Sequence, residues 1–130
     1  MNNEEIEILI ADDDGGTRAL LASILRNCDY PTVTYAADGE EALRLLKQKN
    51  FQIAFLDISM PGVDGVTVLK QAKDISPKCF CVIITAHSAV ENVKAALGAG
   101  AKGFIVKPYS AQKVTDVLAK FEQQRYGDYY

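Results

Sequence analysis

The stretch that decides the fold is Ile53-Ala54-Phe55-Leu56-Asp57-Ile58-Ser59-Met60-Pro61-Gly62. Four apolar residues run straight into one carboxylate, and a turn signal follows at once. A short unbroken apolar run marks a strand buried on both faces of a sheet. Pro61 has no N–H and Gly62 favours turns, so the strand cannot continue through them. Asp57 is therefore expected at the C-terminal lip of an inner strand, facing a crevice. Taken alone, such a residue need only be a loop aspartate that stops the strand, because Asp is a poor strand former. The rest of the chain has to decide.

On the N-terminal side, Ile6 to Ala11 reads as a first strand that ends at Asp12-Asp13-Asp14. Gly15-Gly16 makes a loose entry to a helix over 17–27, where Leu20, Leu21, Ile24 and Leu25 recur at helical spacing. Asp29-Tyr30-Pro31 breaks that helix, and Thr32 to Ala36 is a β-branched second strand. Asp38 caps a second helix carrying Ala42, Leu45 and Leu46, with an acid three residues on. Beyond the opening stretch, Asp64 caps a third helix with Leu69 and Ala72 on its core face. Cys79 to Ile84 is a strongly apolar fourth strand ending at Thr85-Ala86-His87. Ser88 caps a fourth helix with Val90, Val93 and Leu97 on one face, closed by Gly98 and Gly100. Lys102 to Val106 is a fifth strand ending at Lys107-Pro108, and Ser110 caps a last helix striped with Val114, Val117, Leu118 and Phe121.

Composition narrows the class. A chain of 130 residues suits one domain that buries roughly two thirds of its unfolded surface. Hydrophobic content of 48% with 24% charged residues argues against disorder. A formal charge of −3 without a Lys/Arg block argues against nucleic acid as a direct partner. Cys28, Cys79 and Cys81 are odd in number and have only His87 as histidine company, and Cys79 and Cys81, alternating in an apolar run, read as small hydrophobes of a reduced protein. The acidic start Met1-Asn2-Asn3-Glu4-Glu5 lacks a basic leader segment, and no apolar run approaches a membrane span. A cytoplasmic location with no membrane contact is expected. Residues 1–124 are expected to form the domain and 125–130 a C-terminal tail, in which Tyr126, Tyr129 and Tyr130 have no assigned role.

Five strands alternating with five helices form a parallel sheet covered on both faces, an α/β doubly wound fold. Such sheets hold their ligands beyond the carboxyl ends of the strands. Asp12 and Asp13 end the first strand, Asp57 the third, Thr85 the fourth and Lys107 the fifth. The second strand ends in Ala36-Ala37, as suits an edge.

Over essentially its whole length the chain resembles the receiver domain of two-component response regulators, of the chemotaxis-regulator kind. The resemblance rests on the pair Asp12-Asp13, Asp57 ahead of Met60-Pro61-Gly62, Thr85-Ala86, Lys107-Pro108, and Phe104 three residues before the lysine. Each match is weak alone; five at matching spacing on a matching element order are specific. The resemblance implies a flavodoxin-like sheet in the order 2-1-3-4-5 with five helices. It implies Asp57 as phospho-acceptor, Thr85 and Lys107 as catalytic partners, Thr85 and Phe104 as a switch pair, and a cis peptide at Pro108 that fixes where the lysine points. It also implies that Ser59 and His87 modulate hydrolysis of the phosphoryl group. Asp12, Asp13, Asp57 and the Ser59 backbone carbonyl would hold Mg2+, with Mn2+ as substitute.

The chemistry supports those roles residue by residue. Two carboxylates about 4 Å apart repel by about 4 kcal/mol at an effective dielectric near 20, so a converging cluster must take up protons or bind a cation. Three hard oxygen ligands suit Mg2+. One acid would be enough to cap the first helix, so three in a row is an excess. Asp57 then acts as nucleophile, and Lys107 places a point charge on the phosphoryl oxygens. Thr85 offers one hydroxyl, though Thr is common at strand ends for its shape alone. Phe104 would otherwise be plain core, and His87 a surface residue.

A sensor histidine kinase or histidine phosphotransfer protein is the implied donor. The implied output face for a downstream protein is the fourth helix, fifth strand and fifth helix, where Glu91, Asn92, Lys94 and Ala95 lie on the fourth helix. A phosphorylation-linked dimer is compatible with that face. The chain would be a regulatory acceptor that catalyses its own phosphotransfer and dephosphorylation, not a metabolic enzyme. Two rivals share features of this chain. Asp12-Asp13-Asp14-Gly15-Gly16-Thr17 nearly spells the nucleophile loop of haloacid-dehalogenase-like phosphatases, which would make Asp12 the acceptor, but one glycine is inserted and the chain is short. A flavodoxin-like cofactor binder shares the sheet, but three acids in its first loop would repel the cofactor phosphate.

Overall fold

The computed structural model describes residues 2–86 and 90–126, and at 90–92 and 126 the backbone alone. After a 3-10 turn at Asn3–Glu5, strands β1 (Ile8–Ala11), β2 (Val33–Ala36), β3 (Ile53–Asp57), β4 (Phe80–Thr85) and β5 (Gly103–Val106) alternate with helices α1 (Gly15–Asn27), α2 (Gly39–Gln48), α3 (Gly65–Ile75), α4 (Val90–Gly98) and α5 (Ala111–Tyr126). The five strands are parallel and lie in the order β2-β1-β3-β4-β5. The inner strands β1, β3 and β4 are buried along their whole length, whereas β2 at the edge is only partly covered. That difference is what apolar runs and β-branched mixtures respectively encode.

Alternation along the strands sorts the core into two layers. Ile8, Ile10, Ile53, Phe55, Val82, Ile84 and Ile105 face α1 and α5. Leu9, Ala54, Leu56, Cys81, Ile83 and Phe104 face α2, α3 and α4. Four of the five helices start at a capping side chain: Asp14, Asp38 and Asp64 accept from backbone N–H groups of α1, α2 and α3, and Ser110 Oγ at the start of α5 accepts from Lys113 N. The acid after Asp38 is not a full capping box, since Glu41 Oε1 accepts from Ala37 N instead of the cap residue.

Three local expectations need correction. Gly15 and Gly16 are not a loose lead-in but the first turn of α1, because Asp14 Oδ1 accepts from the N–H groups of Gly16 and Thr17. Leu20 is 49% and Leu97 57% exposed. The small Ala96 in α4 and Ala99 just past its end are buried in the α2/α3/α4 layer, while Leu97 turns outward. The proposed cap Ser88 lies outside the described residues.

The C-terminal ends of β1, β3 and β4 open into one crevice, and two glycines shape it. Gly62 has φ +75, the left-handed region, within the turn that follows Asp57. Gly65 begins α3 so close to β3 that an added Cβ would lie 2.2 Å from the Asp57 carbonyl oxygen. Backbone cannot yield cheaply there. Gly65→Ala is expected to lower unfolding free energy by about 1–3 kcal/mol through overpacking, read as the midpoint of urea denaturation. An unchanged midpoint would show that α3 is free to move away from Asp57.

Candidate phospho-acceptor and metal site

Asp57 is the last residue of the central strand and is 4% exposed, and Asp12, just past β1, is fully buried. Adjacent parallel strands put them side by side, since Leu56 pairs with Ala11. The backbone past each strand is pinned: Asp12 N donates to Ala36 O at 3.0 Å, and Ile58 N to Ile84 O at 2.9 Å. The edge strand β2 thus gives the site no side chain but does anchor Asp12. Asp13 is exposed, and one oxygen from each of Asp12, Asp13 and Asp57 lies within 4.8 Å of the others.

Asp14 separates itself from this group. Its carboxylate caps α1, and the N–H groups of Thr17 and Gly16 hold its pKa below the ordinary value. The three consecutive acids therefore divide into one capping residue and two site residues. Asp12 Oδ1 in turn accepts from Asp14 N at 3.0 Å, and Arg18 Nη1 donates to the Asp12 carbonyl.

Lys107 sits between the two buried carboxylates. Its Nζ donates to Asp57 Oδ2 at 2.7 Å and to Asp12 Oδ2 at 2.9 Å. Burial alone would lower the lysine's pKa, but the hydrogen bonds to Asp12 and Asp57 outweigh it and leave the pKa raised. For Asp57 burial is the largest influence and wins: its pKa is raised despite Lys107 and the Ser59 N–H, which donates to Oδ1 at 2.9 Å. One ammonium faces three carboxylates, so the cluster retains an excess of negative charge.

The donor set fits a hard divalent cation. Carboxylate oxygens are the ligands such ions prefer, and an octahedral shell with bonds near 2.1 Å spans about 4.2 Å, close to the spread of the three acids. Asp12, Asp13 and Asp57 would hold the ion.

The Lys107–Pro108 peptide is cis. Lys113, from the first turn of α5, donates from Nζ to Val106 O at 2.9 Å and to Pro108 O at 3.1 Å, so it grips the carbonyls on both sides of Lys107. Thr85 is 1% exposed and pairs with Val106; its carbonyl accepts from Lys107 N at 2.8 Å. Phe104, half-buried, projects from the same sheet face one pleat earlier. Ser59 is exposed at the rim, and His87 lies outside the described residues. Sequence reading passed over Lys113 and Arg18, which meet the site only through the fold.

Surface cavities of about 500 and 270 Å3 lie at the opposite, N-terminal end of the strands, around Gln52 and Lys78. Among the described residues no helix is long and apolar enough to cross a membrane.

Because the folded state raises the pKa of Asp57, it binds a proton more readily than the unfolded chain above the ordinary carboxylate value of 3.8. Ionised Asp57 is therefore destabilising at neutral pH, and the penalty disappears as pH falls through the folded pKa. Asp57→Asn, which leaves Lys107 paired with Asp12, is expected to be more stable than wild type at pH 7 in EDTA. The difference should shrink as pH is lowered towards 4, measured by urea denaturation; a difference that grows on acidification would refute this electrostatic account.

Comparison with known proteins agrees with the geometry. The model of the response regulator receiver domain matches residues 8–119. The chemotaxis protein CheY of Bacillus subtilis is 34% identical over 113 residues, covering 87% of this chain and 94% of that protein. The transcriptional regulatory protein ZraR of Salmonella typhimurium is 34% identical over 116 residues, 89% of this chain but 26% of its own length. The chain thus spans about a quarter of that longer regulator. Among solved structures, the CheX-CheY-BeF3-Mg2+ complex from Borrelia burgdorferi contains a chain of 36% identity that superimposes with a TM-score of 0.82, covering 87% of this chain and 86% of that one. No comparison supports a haloacid-dehalogenase-like phosphatase, and the strand order together with the matched residues assigns the chain to the receiver domains of two-component response regulators.

Proposed function

We propose that Asp57 is the phospho-acceptor of this receiver domain, working with a Mg2+ held by Asp12, Asp13, Asp57 and the Ser59 backbone carbonyl, with Mn2+ as substitute. The observation that carries the proposal is the convergence of Asp12 and Asp13 on Asp57, with Lys107 Nζ 2.7 Å from Asp57 Oδ2. When bound, the ion supplies the positive charge that lets a carboxylate approach an anionic phosphoryl group. A carboxylate oxygen of Asp57 forms the new bond to phosphorus, the P–N bond of a donor phosphohistidine breaks, and the released imidazole takes up a proton. Lys107, already between Asp12 and Asp57, turns its ammonium to the incoming phosphoryl oxygens. Its raised pKa keeps it charged for that task.

The donor is a sensor histidine kinase or a histidine phosphotransfer protein. Thr85 donates its hydroxyl to a phosphoryl oxygen, and Phe104, on the same sheet face, moves into the space that Thr85 leaves. The α4, β5 and α5 face carries the change to a downstream protein, and a phosphorylation-linked dimer would use it too. Ser59 and His87 set how long the phosphoryl group lasts. The receiver domain ends near residue 124, with 125–130 as tail, and a cytoplasmic location goes with this reading.

Acetyl phosphate with Mg2+ tests the assignment. Wild type should gain the mass of one phosphoryl group, mapped to the peptide that holds Asp57; Asp57→Asn should gain none, while Lys107→Ala should still be labelled but bind its partner no more tightly for it. Label on the Asp12 peptide, or undiminished labelling of Asp57→Asn, would overturn the mechanism.

A further inference from the structure

Lys113 stands at the wrong end of its helix for an ordinary surface lysine. Ser110 Oγ accepts from Lys113 N at 3.1 Å, so Lys113 lies in the first turn of α5. There the unpaired N–H groups give the helix a partial positive charge, which favours an acid and disfavours an ammonium. That turn holds no acidic residue to offset the lysine. A lysine so placed weakens the helix start, and its presence calls for a cause.

Its contacts supply one. Lys113 Nζ donates to Val106 O at 2.9 Å and to Pro108 O at 3.1 Å. The Val106 carbonyl belongs to the peptide that leads into Lys107, and the N–H of that same peptide donates to Thr85 O at 2.8 Å. Carbonyl and N–H of a trans peptide point in opposite directions, so the Val106 carbonyl points away from β4. Since β5 is the edge strand, no further strand among the described residues takes that carbonyl. Lys113 takes it instead. One peptide plane is thus held on both sides, by Thr85 towards the sheet and by Lys113 towards the open edge. Pro108 O gives a second hold just past Lys107.

The hold matters because Lys107 has two places to reach. Its Nζ meets Asp57 at 2.7 Å and Asp12 at 2.9 Å, and in the proposed phosphotransfer it turns to the phosphoryl oxygens. A long flexible side chain does this accurately only from a fixed root, because small misplacements of a reacting group cost rate steeply. We propose that Lys113 is a positioning residue for Lys107: its ammonium, seated on the Val106 and Pro108 carbonyls, fixes the backbone from which Lys107 swings between the acids and the phosphoryl group. The proposal rests on the phospho-acceptor reading and adds a residue to it that acts only through Lys107.

Beryllofluoride affinity in the presence of Mg2+, measured by titration calorimetry, tests this. The proteins compared are wild type, Lys113→Met, Lys107→Ala and the double variant. Lys120→Met, at an exposed position on the same helix, controls for loss of charge. Methionine keeps the side chain's length and removes its donors. Lys113→Met is expected to weaken binding by about 10-fold, the worth of one hydrogen bond from a charged group. In the Lys107→Ala background the same substitution should change affinity by no more than about 2-fold, because residues that act through one another do not add. Lys120→Met should bind as wild type does. A Lys113→Met protein with wild-type affinity would overturn the proposal. So would an equal loss in both backgrounds, the mark of a helix-stabilising role that does not pass through Lys107. If wild type itself binds no beryllofluoride, the phospho-acceptor reading fails and this inference with it, a result visible before any variant is made.

Discussion

Crowding of like charge at the C-terminal ends of β1 and β3 is the constraint around which the other features of this domain arrange themselves. Asp12, Asp13 and Asp57 come within 4.8 Å of each other, and two of the three are buried. At that range, with an effective dielectric near 20, each pair repels by several kcal/mol, about 3–4. A domain selected for stability alone would not gather them. Lys107 offsets part of the repulsion by donating to both buried acids, yet burial still raises the pKa of Asp57. The site is held under electrostatic stress that a divalent ion would relieve, and this links stability to chemistry.

The topology is what imposes the crowding. In the order β2-β1-β3-β4-β5, β1 and β3 are adjacent although a whole strand and two helices separate them in sequence. Their carboxyl ends therefore deliver side chains to one crevice, while Lys107 arrives from the end of β5 at the far edge. Short-range devices fix each contributor in place: the Asp14 cap, the close approach of Gly65 to the Asp57 carbonyl, and the Lys113 clamp on the carbonyls around Lys107. The clamp joins α5 to the lysine. A change in the phosphoryl environment would thus be felt by the helix proposed as part of the output face.

Much of this was legible in the residues. Apolar runs ending abruptly in Asp, Thr or Lys disclosed the parallel strands and their polar C-terminal ends, because a strand buried on both faces tolerates polarity only where it stops. The strand order was not so readable; periodicity says which residues face a core but not which strand lies beside which, and resemblance supplied that. Failures came where side-chain size was weighed above helical phase. Leu97 and Leu20 looked like core, but Ala96 in α4 and Ala99 just past it take the inward positions beside Leu97. Asp14 read only as an acid beyond the pair Asp12-Asp13, and the fold turns it to the helix it starts. Lys113 and Arg18 carry no local signature of a site role; their relation to the acids exists only once β1, β5, α1 and α5 have been brought together.

The measurement that bears most directly on the central claim is a crystal structure of the protein soaked with Mg2+ and beryllofluoride, which mimics an acyl phosphate. The account predicts the beryllofluoride on a carboxylate oxygen of Asp57, Lys107 turned towards its fluorines, and a metal ion ligated from Asp12 or Asp13. Density on Asp12 instead, or an Asp57 left bare beside an occupied metal site, would contradict it.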